Sequence, residues 1–141
     1  MKGYKSILRN RGIPLRPEYI RWSKYTFQSG VEQGRELLDL PDPPTAIFAS
    51  NDAMACGVLH VAHKRGVTVP EELSVAGYDD SPIALQIWPS LTTMRQPVGR
   101  MGRIAARELI NSIRGEHDDS SETIILQPEL KVRASTAPPR G

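Results

Sequence analysis

"SNDAMACGVLHVAHKRGVTVP", residues 50–70, is the stretch on which the fold turns. Just ahead of its helical part runs "AIFAS", Ala46 to Ser50, short and continuously apolar. That composition suits a strand covered on both faces, as in a parallel sheet. From about Asp52 to Arg65, Met54, Val58, Val61 and Ala62 recur at helical spacing, and Gly66 stands where a C-terminal cap belongs. After "VTVPEEL" comes a second apolar run, "SVAGY", Ser74 to Tyr78. Strand, helix, strand in this order is a βαβ unit, which predicts an α/β fold with a parallel sheet and a right-handed crossover.

Upstream, residues 2–10 read as a helix presenting Tyr4, Ile7 and Leu8, with Gly12 near its end. "IPLRPEYI" reads as an extended connection punctuated by Pro14 and Pro17. A second helix is expected from Thr26 to Leu40, its apolar residues Phe27, Val31, Leu37, Leu38 and Leu40, stopped by "LPDPP". Downstream, "LTTMRQP" is β-branched and reads as extended. "VGRMGRIAARELINSIRG" places Met101, Ile104, Ala105, Ile110 and Ile113 at helical spacing, with Gly115 as the stop. "ETIILQPELKVRAST" predicts two short strands broken at Gln127-Pro128, and "APPRG" a disordered tail.

The 141 residues and 39% hydrophobic content fit one domain with a modest core. Eighteen Lys and Arg against sixteen Asp and Glu leave the chain near neutral, which argues against a dedicated nucleic-acid binder. Cys56 is the lone cysteine, so no intrachain disulfide forms and a reducing, cytoplasmic setting is expected. "MKGYKSILRNRG" has no signal-peptide core, and no run reaches membrane-spanning length, so no membrane partner is expected.

Ligands of open α/β sheets bind outside the carboxyl ends of the strands. The first predicted strand ends in Ser50-Asn51-Asp52, the second in Tyr78-Asp79-Asp80, and Gln96 follows the third. Asn and Gln donate and accept, whereas Asp only accepts. The set suits a neutral polyhydroxylated or amide-bearing molecule better than a phosphate, and no Gly-rich phosphate loop accompanies it. A purely structural reading stands beside this one: Asn51 or Asp52 caps a helix, and Asp79-Asp80-Ser81-Pro82 is a turn.

Cys56, His60 and His63 share one helix face and are of zinc-ligand type, but no fourth ligand follows at a recognisable spacing. No metal or other cofactor is expected. Arg100, Arg103, Arg107 and Arg114 interleave with an apolar stripe, as on a solvated helix face rather than a nucleic-acid helix. No Gly-x-Ser-x-Gly elbow or P-loop occurs, and the adjacent Asp79 and Asp80 cannot straddle a glycosidic bond, so no enzyme is expected.

Together, "PTAIFASNDAMACGVLHVAHKRGVTVPEELSVAGYDD", "PSLTTMRQPVGRMGRIAARELI" and "LKVRAST" resemble the sensor part of the lactose-repressor (LacI/GalR) family of transcriptional regulators, in order and at matching separations from Gly3 to Thr136. The resemblance implies a parallel-sheet, three-layer lobe of the type I periplasmic-binding-protein fold. In that reading residues 1–95 are the C-terminal lobe without its first strand. Residues 96–119 are a crossover and a helix belonging to an N-terminal lobe outside this sequence, 120–136 are returning strands and 137–141 a tail. The family's ligand contacts map to Asn51, Asp79 and Gln96, and its ring against the ligand to Tyr25, five residues before Gly30. The family's ligand-holding arginine falls one position before Met1. The implied partners are a sugar or nucleoside-like effector, a second copy through Cys56, Leu59, His60, Ile87 and Trp88, and an operator DNA reached only through a domain outside this sequence. A sugar-binding protein of a transport system is the alternative.

Overall fold

A computed structural model describes residues 1–115 and 123–139 of the protein. The βαβ expectation is met at its centre. Strand β1 (Ala46–Phe48) leads into helix α3 (Asp52–Lys64), which returns to β2 (Ser74–Asp79), and β1 and β2 pair in parallel with Phe48 opposite Ala76. A third parallel strand, β3 (Thr92–Arg95), lies on the other side of β2, with Asp79 opposite Arg95. β4 (Glu129–Lys131) closes the order β1-β2-β3-β4 by running antiparallel to β3, Glu129 beside Arg95.

The remaining helices are α1 (Lys2–Asn10), α2 (Phe27–Leu38), the single turn α4 (Ile83–Gln86) and α5 (Val98–Ile113). Helix α2 starts where Thr26 Oγ1 accepts the Ser29 N–H at 3.1 Å, a side chain replacing the carbonyl that the first turn lacks. Its backbone then lies almost against that of α3. A Cβ on Gly30 would sit 2.1 Å from the Met54 carbonyl oxygen, and one on Gly57 would sit 2.3 Å from that of Phe27. Only glycine permits this approach.

The core forms where this helix pair meets the sheet: Val58, Leu59 and Ala62 of α3 against Ile47, Leu73, Val75 and Leu91. The segment after β4 is stitched into the same sheet. Ser135 is fully buried; its hydroxyl donates to the Val75 carbonyl at 2.6 Å and accepts from the Thr92 N–H at 2.8 Å.

Several expectations need correction. α3 has no single apolar arc, because Ala55, Cys56, Gly57, Val58, Leu59, Val61 and Ala62 are all buried. Covered by α2 as well as by the sheet, it buries most of its circumference. "IPLRPEYI" is not wholly extended: Pro17–Tyr19 form a 3-10 turn. Of the two strands expected around Gln127-Pro128 only β4 forms, and residues 123–128 have no regular structure. A strand needs a neighbour for its N–H and C=O groups, and the described sheet places none beside that segment. Part of the return segment, 116–122, and the last two residues of the tail lie outside the described residues. No described helix is long and apolar enough to cross a membrane.

Candidate functional site

Three adjacent parallel strands necessarily end on one edge, so the exits of β1, β2 and β3 bring their following residues to a common rim. Asn51 leaves β1 there. It is the N-cap of α3: its Oδ1 accepts the Met54 N–H at 2.9 Å, and its Nδ2 donates to the Tyr25 carbonyl oxygen at 3.2 Å. Between Asn51 and Asp52, the cap is therefore Asn51, and the residue expected to reach a ligand is the one holding the helix. One N–H of its amide keeps no partner among the described residues. Tyr25 is thereby fixed through its backbone, while its side chain stands 70% exposed.

Asp79 and Gln96 meet directly, Gln96 Nε2 donating to Asp79 Oδ1 at 2.7 Å. Asp79 sits at φ 112 and Asp80 at φ 56, both in a region that residues with a Cβ rarely occupy. Beside Gln96 opens an apolar cavity of about 350 Å³, walled by Pro97, Met101, Ile104 and Leu126.

The Asn51–Tyr25 and Asp79–Gln96 pairs share no direct bond. What joins them is Asp52, a residue that the sequence placed in the first strand-exit set and offered as an alternative cap. Its carboxylate is buried, at 1% exposure. Oδ1 accepts the Thr93 hydroxyl of β3 at 2.5 Å; Oδ2 accepts the Ser81 N–H at 2.7 Å and its hydroxyl at 3.0 Å, just past β2. One side chain at the β1 exit thus ties together the interior of β3 and the segment just past β2. Gly77 makes room for it, since a Cβ there would lie 2.5 Å from Asp52 Oδ1. The signal available in the sequence was the pairing of a strand-exit carboxylate with a glycine inside the next strand.

The sequence named Asp80 at the second exit, but not its partners. Its side chain is 4% exposed and accepts from Arg133 Nη2 and Arg95 Nε, each at 2.5 Å. Burial pushes its pKa up, but the hydrogen bonds from Arg133 and Arg95 outweigh that and hold the carboxyl below its ordinary value.

The residues expected at a dimer interface separate into two groups. Cys56 and Leu59 are 2% and 4% exposed and pack inward, because α2 and the sheet enclose α3. Burial, and secondarily the charge of Asp52, pushes the Cys56 thiol up to about 11. His60 is exposed, its ring edge-on to Phe27 at 5.7 Å. Ile87 packs half-buried against the core, whereas Trp88 is 89% exposed. With Cys56 turned inward and His63 exposed, the trio does not converge, and no described group of three His, Cys, Asp or Glu could hold a metal ion. Arg100, Arg103, Arg107 and Arg114 are exposed along α5.

This arrangement is a mostly parallel α/β body with polar side chains gathered at one strand rim. The chain matches the periplasmic binding protein-like domain over residues 1–136 and belongs to that family. Within it, the likeness is to LacI-family regulators. The HTH-type transcriptional repressor CytR of Escherichia coli K12 is 40% identical over 136 residues, covering 96% of this chain and 40% of the relative. Catabolite control protein A of Priestia megaterium is 39% identical over 136 residues, 96% of this chain and 41% of that protein. Among solved structures, a CelR–cellobiose complex superimposes with a TM-score of 0.88 at 38% identity, covering 94% of this chain and 40% of the other. A LacI-family regulator from Enterococcus faecium with bound ribose gives 0.87 at 32% identity, covering 98% and 51%. The chain thus spans about two fifths of the length of these curated relatives.

Proposed function

We propose that this chain is the effector-sensing portion of a LacI/GalR-type transcriptional regulator and that Asn51, Asp79 and Gln96, with Tyr25 as a stacking ring, bind a neutral sugar or nucleoside. The observation that carries this reading is the Asp79–Gln96 pair at the shared rim of three parallel strands. Asp79 Oδ2 and Gln96 Oε1 remain as acceptors among the described residues. The second amide N–H of Gln96 and that of Asn51 remain as donors. Two acceptors and two donors, with no cation among these four residues, match hydroxyls on a polyol and disfavour an anion. An exposed tyrosine adds an apolar face on which a sugar ring buries its C–H surface.

In the whole regulator, residues 96–119 go with a second lobe and DNA is contacted by a domain outside this chain. Effector bound between lobes changes operator affinity through its different affinity for the two arrangements. Self-association uses the exposed Trp88 and His60 with Ile87 beside them. Calorimetry of the full chain against a panel of sugars and nucleosides, ribose and cellobiose included, tests the site. Binding of one member, weakened at least about tenfold by Asp79→Asn (one hydrogen bond to a charged group), is expected. Binding that ignores Asp79→Asn and Gln96→Ala moves the site elsewhere. Sedimentation on dilution tests the dimer: a Trp88→Ala variant that associates as strongly as the parent excludes that surface.

A further inference from the structure

The Asp79–Gln96 pair spans two strand exits, and one residue deeper the same two exits are spanned again. There Asp80 accepts from Arg95, so the hydrogen bond 79–96 and the ion pair 80–95 are neighbouring rungs. The antiparallel strand joins them from the other end of the sheet, because Arg133, after β4, donates to Asp80 Oδ1 and at 2.8 Å to the Leu91 carbonyl that precedes β3. Arg133 is itself only 12% exposed. Both aspartates hold positive φ, a conformation that persists only where the surroundings over-determine it. At Asp80 the surroundings are two guanidiniums. Asp79 is exposed, with Gln96 as its side-chain partner, so the direction of its carboxylate follows from how the next residue is held.

We propose that Asp80 is a positioning residue for effector recognition: clamped by Arg95 and Arg133, it fixes the left-handed turn at the end of β2 and so aims Asp79 at Gln96 before any ligand arrives. This rests on the proposed binding role of Asp79 and Gln96. A carboxylate aimed in advance costs the ligand less ordering, which is the usual source of affinity in a pre-formed site. The competing role is a plain staple, in which Asp80 holds the β4 segment to the sheet and nothing more.

The two roles separate in NMR of the 15N-labelled full chain, read at the Gln96 side-chain amide and the backbone amides of residues 78–81. Asp80→Asn removes the charge without changing the shape. Arg133→Met is the second variant, leaving the Arg95 contact in place should the first fold poorly. Val75→Ala, a core change away from the turn, controls for loss of stability. If Asp80 positions Asp79, either clamp variant moves the Gln96 amide signals toward those of Asp79→Asn. Their exchange with water then speeds by about tenfold, the protection of one charge-assisted hydrogen bond. Val75→Ala lowers the melting temperature and leaves those signals in place. Clamp variants that melt early yet keep wild-type Gln96 signals overturn the proposal and leave Asp80 a staple. Calorimetry with ribose and cellobiose distinguishes the underlying reading. If the parent binds one of them, Asp80→Asn weakens it by about tenfold. If the parent binds neither, these two sugars are excluded as effectors while the amide signals still decide the role of Asp80.

Discussion

Helices α3 and α5 both carry apolar residues at helical spacing and finish at opposite extremes of burial. Eight residues of α3 are buried, yet none of the sixteen in α5 is, although Met101, Leu109 and Ile113 lie along one face of it. A helix can form from local pattern, but it gains most of its stability by packing that pattern against something. α3 lies between α2 and the sheet and has two such surfaces. α5 leaves the sheet after β3, and its apolar face is open apart from the cavity beside Gln96. The contrast fits the proposal that this unit goes with a lobe outside the chain, and it says where stability should and should not reside.

The largest expected effect tests the packed side. Leu91→Ala empties a fully buried position and should cost about 2–5 kcal/mol in urea unfolding. Ile113→Ala, at a position 77% exposed, should stay within about 0.5 kcal/mol. A comparable loss at Ile113 would mean that α5 is covered in solution, and the comparison would fail.

Glycine to alanine sharpens it by sign. At Gly30 the new methyl meets the Met54 carbonyl, and a loss of about 1–3 kcal/mol is expected. At Gly102, inside α5 with nothing within 4 Å, the same change should stabilise by about 0.5–1 kcal/mol. Two melting curves decide it.

Asn51→Ala removes the α3 cap and should cost about 1 kcal/mol. Amide exchange at Met54 should rise with it. Unchanged stability would show that the packing of α3 holds the helix end without its cap.

The smallest effect is one of pH. Cys56 keeps its proton in the folded state up to about 11, whereas an unfolded cysteine loses it near about 8.5. Above that lower value the unfolded state releases the proton first, so stability falls as pH rises from about 8.5 toward 11. Native Cys56 should resist alkylation at neutral pH and react once urea is added. Rapid alkylation of the native chain would place Cys56 on the surface, where a partner could reach it.

Much of this was legible beforehand. The apolar runs at 46–50 and 74–78 and the helix between them gave β1, α3 and β2, and three strand exits placed Asn51, Asp79 and Gln96 on one rim. The residues expected at a dimer face differ in burial for a definite reason. Viewed as one face of an isolated helix, Cys56 and His60 belong together. In the fold the close approach at Gly30 and Gly57 buries the first and leaves the second exposed. The strand expected before Gln127 failed similarly, since β-branched composition suggests a strand but only a neighbouring chain completes one.

The sequence by itself determined the parallel order of the central unit, the ends of its helices and the kinds of polar group at the strand exits. All of these depend on neighbours a few residues apart, where periodicity and capping act. Only the tertiary structure decided that Asp52, at the β1 exit, is held by Thr93 inside β3, 41 residues away, and that Asp80 is held by Arg133, 53 residues away. A carboxylate looks the same in sequence whether it faces water or two guanidiniums. Which of the two it meets depends on how distant segments come together, and that is a property of the packed sheet.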